Sequence, residues 1–452
     1  MMKLAPRSAP WRIPRSWNVD PQQQRAEALP GEDAKAAIPG LLKAAFIFAL
    51  VSMTVLDRFG LRVTDTYSIN PSLFALYGLV GMMLLTRSAQ INGVGALIYV
   101  GVVTAAGLSF MLNLSLDPRQ YTTLGSLGLL LLLYAPLAIC LRPAVGTTAA
   151  WHWMMNWYIA FAAALAVAGI VQFYAQFVFH AAWLFDYTTL IPAPIRGSGT
   201  YNTTNHVGSL IKANGFFLRE ASGFSWIMAF ALLCEWSLKK RKLLMATLAL
   251  ALVVSYSGSG LLALGVAMLF PLGQRTVVRV FGCVVVGAII VLVFGDALNL
   301  SYTLGRVGEF DSTHSSAYCR FIQPAKVVAE QIDSDTWTTL LGHGPGTTQK
   351  LFSTCETTYA KVLIEYGLLG TTAVVALILA AVNRAAAPIR IRVVLFVQWL
   401  LLGGNLLAPE SLLVIVILSG LWPPGVALGA APPLRTPRPR TANLAARRLG
   451  KS

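Results

Sequence analysis

Charge is what this chain has least of. Only 12% of its 452 residues are Asp, Glu, Lys or Arg, about half the ~25% usual in a soluble domain. With hydrophobic residues at 56%, a water-soluble fold would leave apolar surface uncovered, so lipid must solvate most of the chain. Acids are scarcer still, 19 against 35 Lys and Arg, and histidine and cysteine number five each. No CxxC or HExxH occurs, which argues against a metal catalyst or a resident cofactor. The glycines of Gly342-His343-Gly344-Pro345-Gly346 suit a tight turn and match no nucleotide-binding pattern. Residues 1–37 hold prolines and scattered Arg and Gln without an apolar core. They read as a disordered basic tail and not as a cleavable signal peptide.

What is present is a series of apolar runs: residues 38–56, 71–85, 91–112, 121–141, 151–179, 222–238, 243–256, 261–272, 276–294, 358–382, 393–407 and 411–428. A bilayer core of ~30 Å asks for about 20 residues per helix. The expected fold is an all-α polytopic membrane protein with about twelve transmembrane helices over residues 38–428, flanked by basic tails at 1–37 and 429–452. The seventh and eighth runs are short and meet at Ser257-Gly258-Ser259-Gly260. Two connections are long, residues 181–221 and 296–357. An even number of spans sets both termini on one side. Placing them in the cytoplasm puts most of the Lys and Arg inside and most acids outside, as the positive-inside rule requires. The formal charge of +16 is then a topology signal with attraction to anionic lipid, and not a nucleic-acid footprint.

The first long connection enters the run at 222 as Arg219-Glu220-Ala221-Ser222. A charged pair at the lip of a membrane helix is costly to desolvate and is kept for a substrate or an ion pair. Glu220 and Ser222 equally suit an N-cap with an acidic first turn; neither cap nor dipole asks for Arg219. The second long connection holds Arg320 ahead of an amphipathic stretch at 323–330. Arginines from two loops converging on one membrane face suit the phosphate oxygens of an anionic lipid headgroup. His343 is either a solvent-facing turn residue or a proton acceptor. Glu356, just before the run at 358, is either a dipole-stabilised carboxylate or a general base. Glu365, within that run, is expected to face the bundle interior.

FFLREASGFSW leads into a span, SYSGSGLLALG follows two spans later, the second long connection runs from Ser316-Ala-Tyr-Cys-Arg320 to Leu341-Gly-His-Gly-Pro-Gly346, and TTYAKVLIEYGLLG closes the set. In this order the motifs resemble the O-antigen polymerase and O-antigen ligase superfamily, membrane glycosyltransferases of bacterial surface polysaccharides. The resemblance covers most of residues 183–370. It implies a GT-C-like enzyme of the bacterial inner membrane that acts at the periplasmic face, with both long loops periplasmic. The implied donor is an undecaprenyl-pyrophosphate-linked oligosaccharide, and the implied partners are a chain-length regulator and a flippase. By position Arg219 and Arg320 match the arginines held to grip the pyrophosphate, Lys212 or Arg196 would assist, and Glu220, Arg306 and Tyr359 would support them. Family members often carry a His-Asn pair ahead of the span where this chain has Glu356-Thr357. The base is therefore Glu356, His343 or no residue at all. That departure favours a polymerase over a lipid A core ligase. A flippase is the alternative of another class, although no half-to-half repeat supports it.

Cys140, Cys234 and Cys283 fall in apolar runs and read as small hydrophobes. Cys319 and Cys355 share the second long connection, where they either pair or stay unrelated thiols. A bond would close a loop of about 37 residues, worth roughly 4 kcal/mol on chain-entropy grounds, and would hold Arg320 next to Glu356. Mass spectrometry of alkylated protein with and without reductant tests the pairing. Label on Cys319 and Cys355 is expected only after reduction, and two freely alkylated thiols in the native protein would exclude the bond.

Overall fold

The computed structural model describes residues 38–426 except 63–67, 117–120, 180–181, 198–203, 205, 208, 272, 274–275, 277, 279, 281, 283–284, 286–309, 314, 316, 353–356, 386, 404 and 425. The described chain is mostly helical. In order come α1 (Gly40–Thr54), α2 (Pro71–Leu85), α3 (Gly93–Leu116), α4 (Leu124–Tyr134), α5 (Thr148–Ala175), α6 (Ala221–Leu238), α7 (Lys242–Val254) and α8 (Gly258–Met268). After the second long connection follow α9 (Gln323–Ser334), α10 (Thr336–Leu341), α11 (Thr348–Phe352), α12 (Thr358–Asn383), α13 (Ile389–Val397) and α14 (Pro409–Ile415). Polar residues start several of them. Asn70 accepts from the Ser72 N–H at 2.8 Å with Pro71 at the first helical position, and Thr147 accepts from the Ala150 N–H at 3.2 Å.

The helices stand where the apolar runs are, but their lengths differ from expectation. Among the described residues four, α3, α5, α6 and α12, are long and apolar enough to cross a membrane. Apolar helices such as α1 and α2 have 15 residues and reach about 22 Å at 1.5 Å per residue, short of ~30 Å. The expectation of about twelve full spans is corrected to that extent. The reason is local: α4 gives way to a 3-10 turn at Ala135–Ala138 around Pro136, and α13 and α14 run into π turns at Gln398–Leu402 and Val416–Gly420. The run at 276–294 falls largely outside the described residues, and both tails at 1–37 and 429–452 lie wholly outside them. Outward-facing Leu97, Val100, Leu108 and Met111 leave α3 with an uncovered apolar face, as lipid contact requires. The described chain is thus that of a helical membrane protein.

Two ends of the helix set can be told apart. At one, strand β1 (Ala89–Ile91) pairs antiparallel with β2 (Ile139–Leu141), Gln90 opposite Cys140, and the Leu141 N–H donates to Leu421 O at 2.7 Å. Arg384, which closes α12, donates there to the carbonyls of Leu137, Ile139 and Gly420. At the opposite end lie the last turn of α1, the first turns of α6 and α14, and the long connection at 181–221.

Helix α12 packs along α3 and is broken at Gly367, which has φ +61°. The break frees carbonyls, and each finds a donor from elsewhere. Gln331 Nε2 donates to Leu363 O at 3.1 Å, the His343 N–H to Ile364 O at 2.8 Å, and the Gly344 N–H and Ser109 Oγ to Glu365 O, both at 2.9 Å. The turn at 342–346 therefore docks into the break. A Cβ on Gly367 would collide with the Leu340 carbonyl, in a backbone region (φ +61°, ψ −163°) that is essentially glycine's own and costs other residues about 1–3 kcal/mol by itself. Gly367→Ala is expected to lower stability by at least about 2 kcal/mol. Thermal unfolding in detergent measures this, and an unchanged midpoint would refute the docked break.

Candidate functional site

The turn that follows α1 carries a charged doublet, Asp57-Arg58, and the 181–221 connection folds onto it. Arg58 is almost fully buried. Its Nη2 donates to Phe185 O and Leu218 O, both at 2.7 Å, its Nε to Leu218 O at 3.1 Å, and its Nη1 to Asp186 Oδ1 at 3.3 Å. The guanidinium also lies 4.6 Å from the Tyr187 ring centroid, within cation–π range. Burial lowers the Arg58 pKa from its ordinary value, opposed by Tyr187, Asp186 and Asp57.

Asp57 takes the other half of the same connection. Its Oδ2 accepts the Arg219 backbone N–H at 3.0 Å, its carbonyl accepts from Arg219 Nε at 2.5 Å, and its Oδ1 stands 3.6 Å from that Nε. Burial pushes the Asp57 carboxyl above its ordinary range while Arg219 and Arg58 pull it down. Glu220 follows at the N-cap place of α6 with no capping hydrogen bond of its own. Its Oε2 accepts from Ser222 Oγ at 2.9 Å and stands 3.6 Å from Arg320 Nη2. Both members of that ion pair are 32% exposed at the side chain. The capping alternative for Glu220 and Ser222 gives way to a hydroxyl–carboxylate contact inside the ion-pair cluster. Glu410, in the first turn of α14, brings a further carboxylate into electrostatic reach of Arg219 and Asp57, and its Oε2 is buried with no hydrogen-bond partner.

Arg320 is thus brought to the residue that follows Arg219, although 100 positions separate it from Glu220 in the sequence. The Arg320 segment is a π turn, Tyr318–Ile322, that leads directly into α9. Tyr359 Oη donates to Phe321 O at 3.4 Å, so the first turn of α12 braces the residue next to Arg320. Other expected residues are engaged differently. Arg196 donates to Ile191 O at 2.7 and 3.0 Å and to Thr189 O at 3.3 Å, clasping its own loop. Lys212 is buried beside Ala213, whose N–H donates to Val254 O at 3.2 Å.

His343 is half-buried in the docked turn with its ring 5.3 Å from that of Phe352. Burial lowers its pKa from the ordinary histidine value, so it is neutral near pH 7 and able to accept a proton. Glu365, expected to face inward, is fully buried; its Oε1 accepts from Thr348 Oγ1 at 2.9 Å and pairs with Lys361 Nζ at 3.2 Å. Cys319 is disulfide-bonded. Its expected partner Cys355, together with Glu356 and Arg306, lies outside the described residues.

Asp57, Arg58 and Glu410 were not singled out by the sequence pattern. The signal was available: Asp57-Arg58 closes an apolar run with the same pairing of an acid and an arginine that Arg219-Glu220 shows at the opening of another, and Glu410 opens the last run. Set against protein-family models, curated proteins and solved structures, the chain matches none of them.

Burial separates the roles of these arginines. Arg58→Ala would leave two buried carbonyls and Asp186 without their donor, an expected loss of about 3 kcal/mol or more. Arg320→Ala breaks a half-exposed pair and should cost under about 1 kcal/mol. Melting curves of both variants in the same detergent test the contrast, and equal midpoints would contradict it.

Proposed function

We propose that this chain is a membrane glycosyltransferase of the O-antigen polymerase and ligase type. On this reading it joins undecaprenyl-pyrophosphate-linked oligosaccharide units into an exopolysaccharide or O-antigen at the periplasmic face of the inner membrane. The finer architecture, a GT-C-like arrangement with both termini cytoplasmic, belongs to the same proposal. The observation that supports it most is that Arg320, from the second long connection, pairs with Glu220 at the lip of α6, next in sequence to Arg219 from the first. Displacing a lipid pyrophosphate needs no nucleotide. It needs cations for the charge that develops on the diphosphate and one acceptor for the proton of the attacking hydroxyl. Of these two arginines Arg320 has more freedom to exchange its carboxylate for phosphate; Arg219 is held in place by Asp57.

The proton acceptor on this reading is Glu356, His343 or no residue of the chain. His343 meets one requirement of a base, being held neutral by burial. The absence of a His-Asn pair before α12 favours polymerase over ligase. A transporter is the second reading, since transporters commonly bind cargo at broken membrane helices and α12 is broken at Gly367. Here, however, loop and side-chain donors already occupy the carbonyls that cargo would need.

The test is purified protein in liposomes with a lipid-linked oligosaccharide. A polymerase lengthens the glycan, whereas a flippase moves it unchanged. Arg320→Ala should cost on the order of 100-fold in rate with the protein level in the membrane unchanged; normal chain lengths in this variant would defeat the phosphate-grip role. Of Glu356→Gln and His343→Ala, the variant that keeps full activity is excluded as the base. If His343 is the base, activity falls with decreasing pH only below the ordinary histidine range.

A further inference from the structure

The end of the helix set away from the ion-pair cluster carries a different charge pattern. Between α6 and α7 the chain turns through Lys239-Lys240-Arg241-Lys242, all exposed. Glu235 is the one acid that the described residues bring to that end, and it is fully buried. Its carboxylate accepts from the Arg241 backbone N–H at 2.8 Å, from Arg241 Nε at 2.9 Å and from Nη2 at 2.7 Å. Its backbone carbonyl accepts the N–H groups of Lys239 at 3.1 Å and Lys240 at 2.8 Å. One buried carboxylate therefore fixes the turn and neutralises Arg241, while Lys239, Lys240 and Lys242 present their charges outward.

A second segment adds to the patch. Arg390, at the start of α13, lies 4.8 Å from the ring centroid of Trp236, one residue after Glu235, and its Nε donates to Phe270 O at 2.8 Å. Lys43 lies over Trp153 at 5.7 Å at the same end, near the starts of α1 and α5. Tryptophan beneath a cation at the end of an apolar helix is the arrangement of a membrane–water interface. Leu243, next to Lys242, is 83% exposed, so apolar surface for an acyl chain begins one residue from the lysines.

We propose that the Lys239–Lys242 turn, with Arg390 beside it, is a binding site for the phosphate headgroup of an anionic phospholipid. The site is independent of the reaction assigned to the opposite end. Its lysines meet the phosphate, Trp236 and Leu243 flank the glycerol and acyl region, and Glu235 holds the turn in shape. A nucleic acid or an acidic protein would meet the lysines without using the apolar flank.

Delipidated protein in detergent, incubated with phosphatidylglycerol or phosphatidylcholine and read by native mass spectrometry, tests the site. Wild type should retain phosphatidylglycerol preferentially. The triple variant Lys239→Gln, Lys240→Gln, Lys242→Gln should lower the ratio of the two lipids on the order of 10- to 100-fold with an unchanged melting temperature. Glu235→Gln removes a negative charge yet releases the turn, and should also lower retention. A rise in that variant would mean that net charge alone attracts the lipid and would overturn the built site. Equal retention of both lipids by wild type, an unchanged ratio in the triple variant, or displacement of phosphatidylglycerol by inorganic phosphate or a short oligonucleotide would overturn it as well.

Discussion

A backbone carbonyl that leaves its helix inside an apolar bundle has no water to accept from, and leaving it unpaired costs several kcal/mol. Much of this architecture follows from that constraint. Where α12 breaks at Gly367, the turn at 342–346, Gln331 and Ser109 supply the donors. Where the 3-10 turn at 135–138 and the π turn at 416–420 end their helices, Arg384 reaches Leu137, Ile139 and Gly420. Trp151 Nε1 donates to Leu418 O at 3.1 Å and Tyr134 Oη to Leu406 O at 3.2 Å. Irregular backbone is tolerated in this bundle because another segment completes it.

The same constraint sorts the arginines. Arg58, Arg196 and Arg384 are committed to carbonyls and hold loops or helix ends in place. Arg219 is intermediate, with its Nε on the Asp57 carbonyl and its charge balanced by the Asp57 carboxylate. Arg320 faces Glu220 at 3.6 Å, partly in water. A guanidinium bound to buried carbonyls cannot turn to a ligand without exposing unpaired acceptors. One paired with a half-exposed carboxylate can exchange one anion for another at little cost.

The apolar runs in the sequence located the helices well, because a continuous apolar stretch in lipid has few alternatives to helix. They did not set helix lengths. A π turn at 416–420 or a break at Gly367 is stable only if donors arrive from distant segments, and no local pattern in residues 358–383 announces Gln331 or Ser109. The candidate site was legible in a similar way. Arg219, Glu220 and Arg320 stood out as polar residues in two long connections. Asp57-Arg58 sat at the edge of an apolar run, where charges are ordinarily counted for topology, and only the fold brings Asp57 to Arg219 and Arg58 to Leu218. His343 lay in a turn correctly identified from its glycines, but nothing in the sequence said that the turn fills a helix break.

The loop end of the protein is close to electrically balanced despite its arginines. Asp57 and Glu410 face Arg219, Asp186 faces Arg58, and Glu220 faces Arg320. An anion that binds here must displace a carboxylate, and the pairs differ in how readily they yield. The Arg58 pair is tied to two carbonyls, and the Asp57–Arg219 pair is reinforced through the backbone of both residues. Glu220 keeps a second partner once Arg320 leaves, the Ser222 hydroxyl at 2.9 Å. On the proposed reading, a phosphate would take Arg320 first and leave Glu220 on the Ser222 hydroxyl that it already accepts from. The Asp57–Arg219 clasp, tied through both backbones, would stay intact in such an exchange.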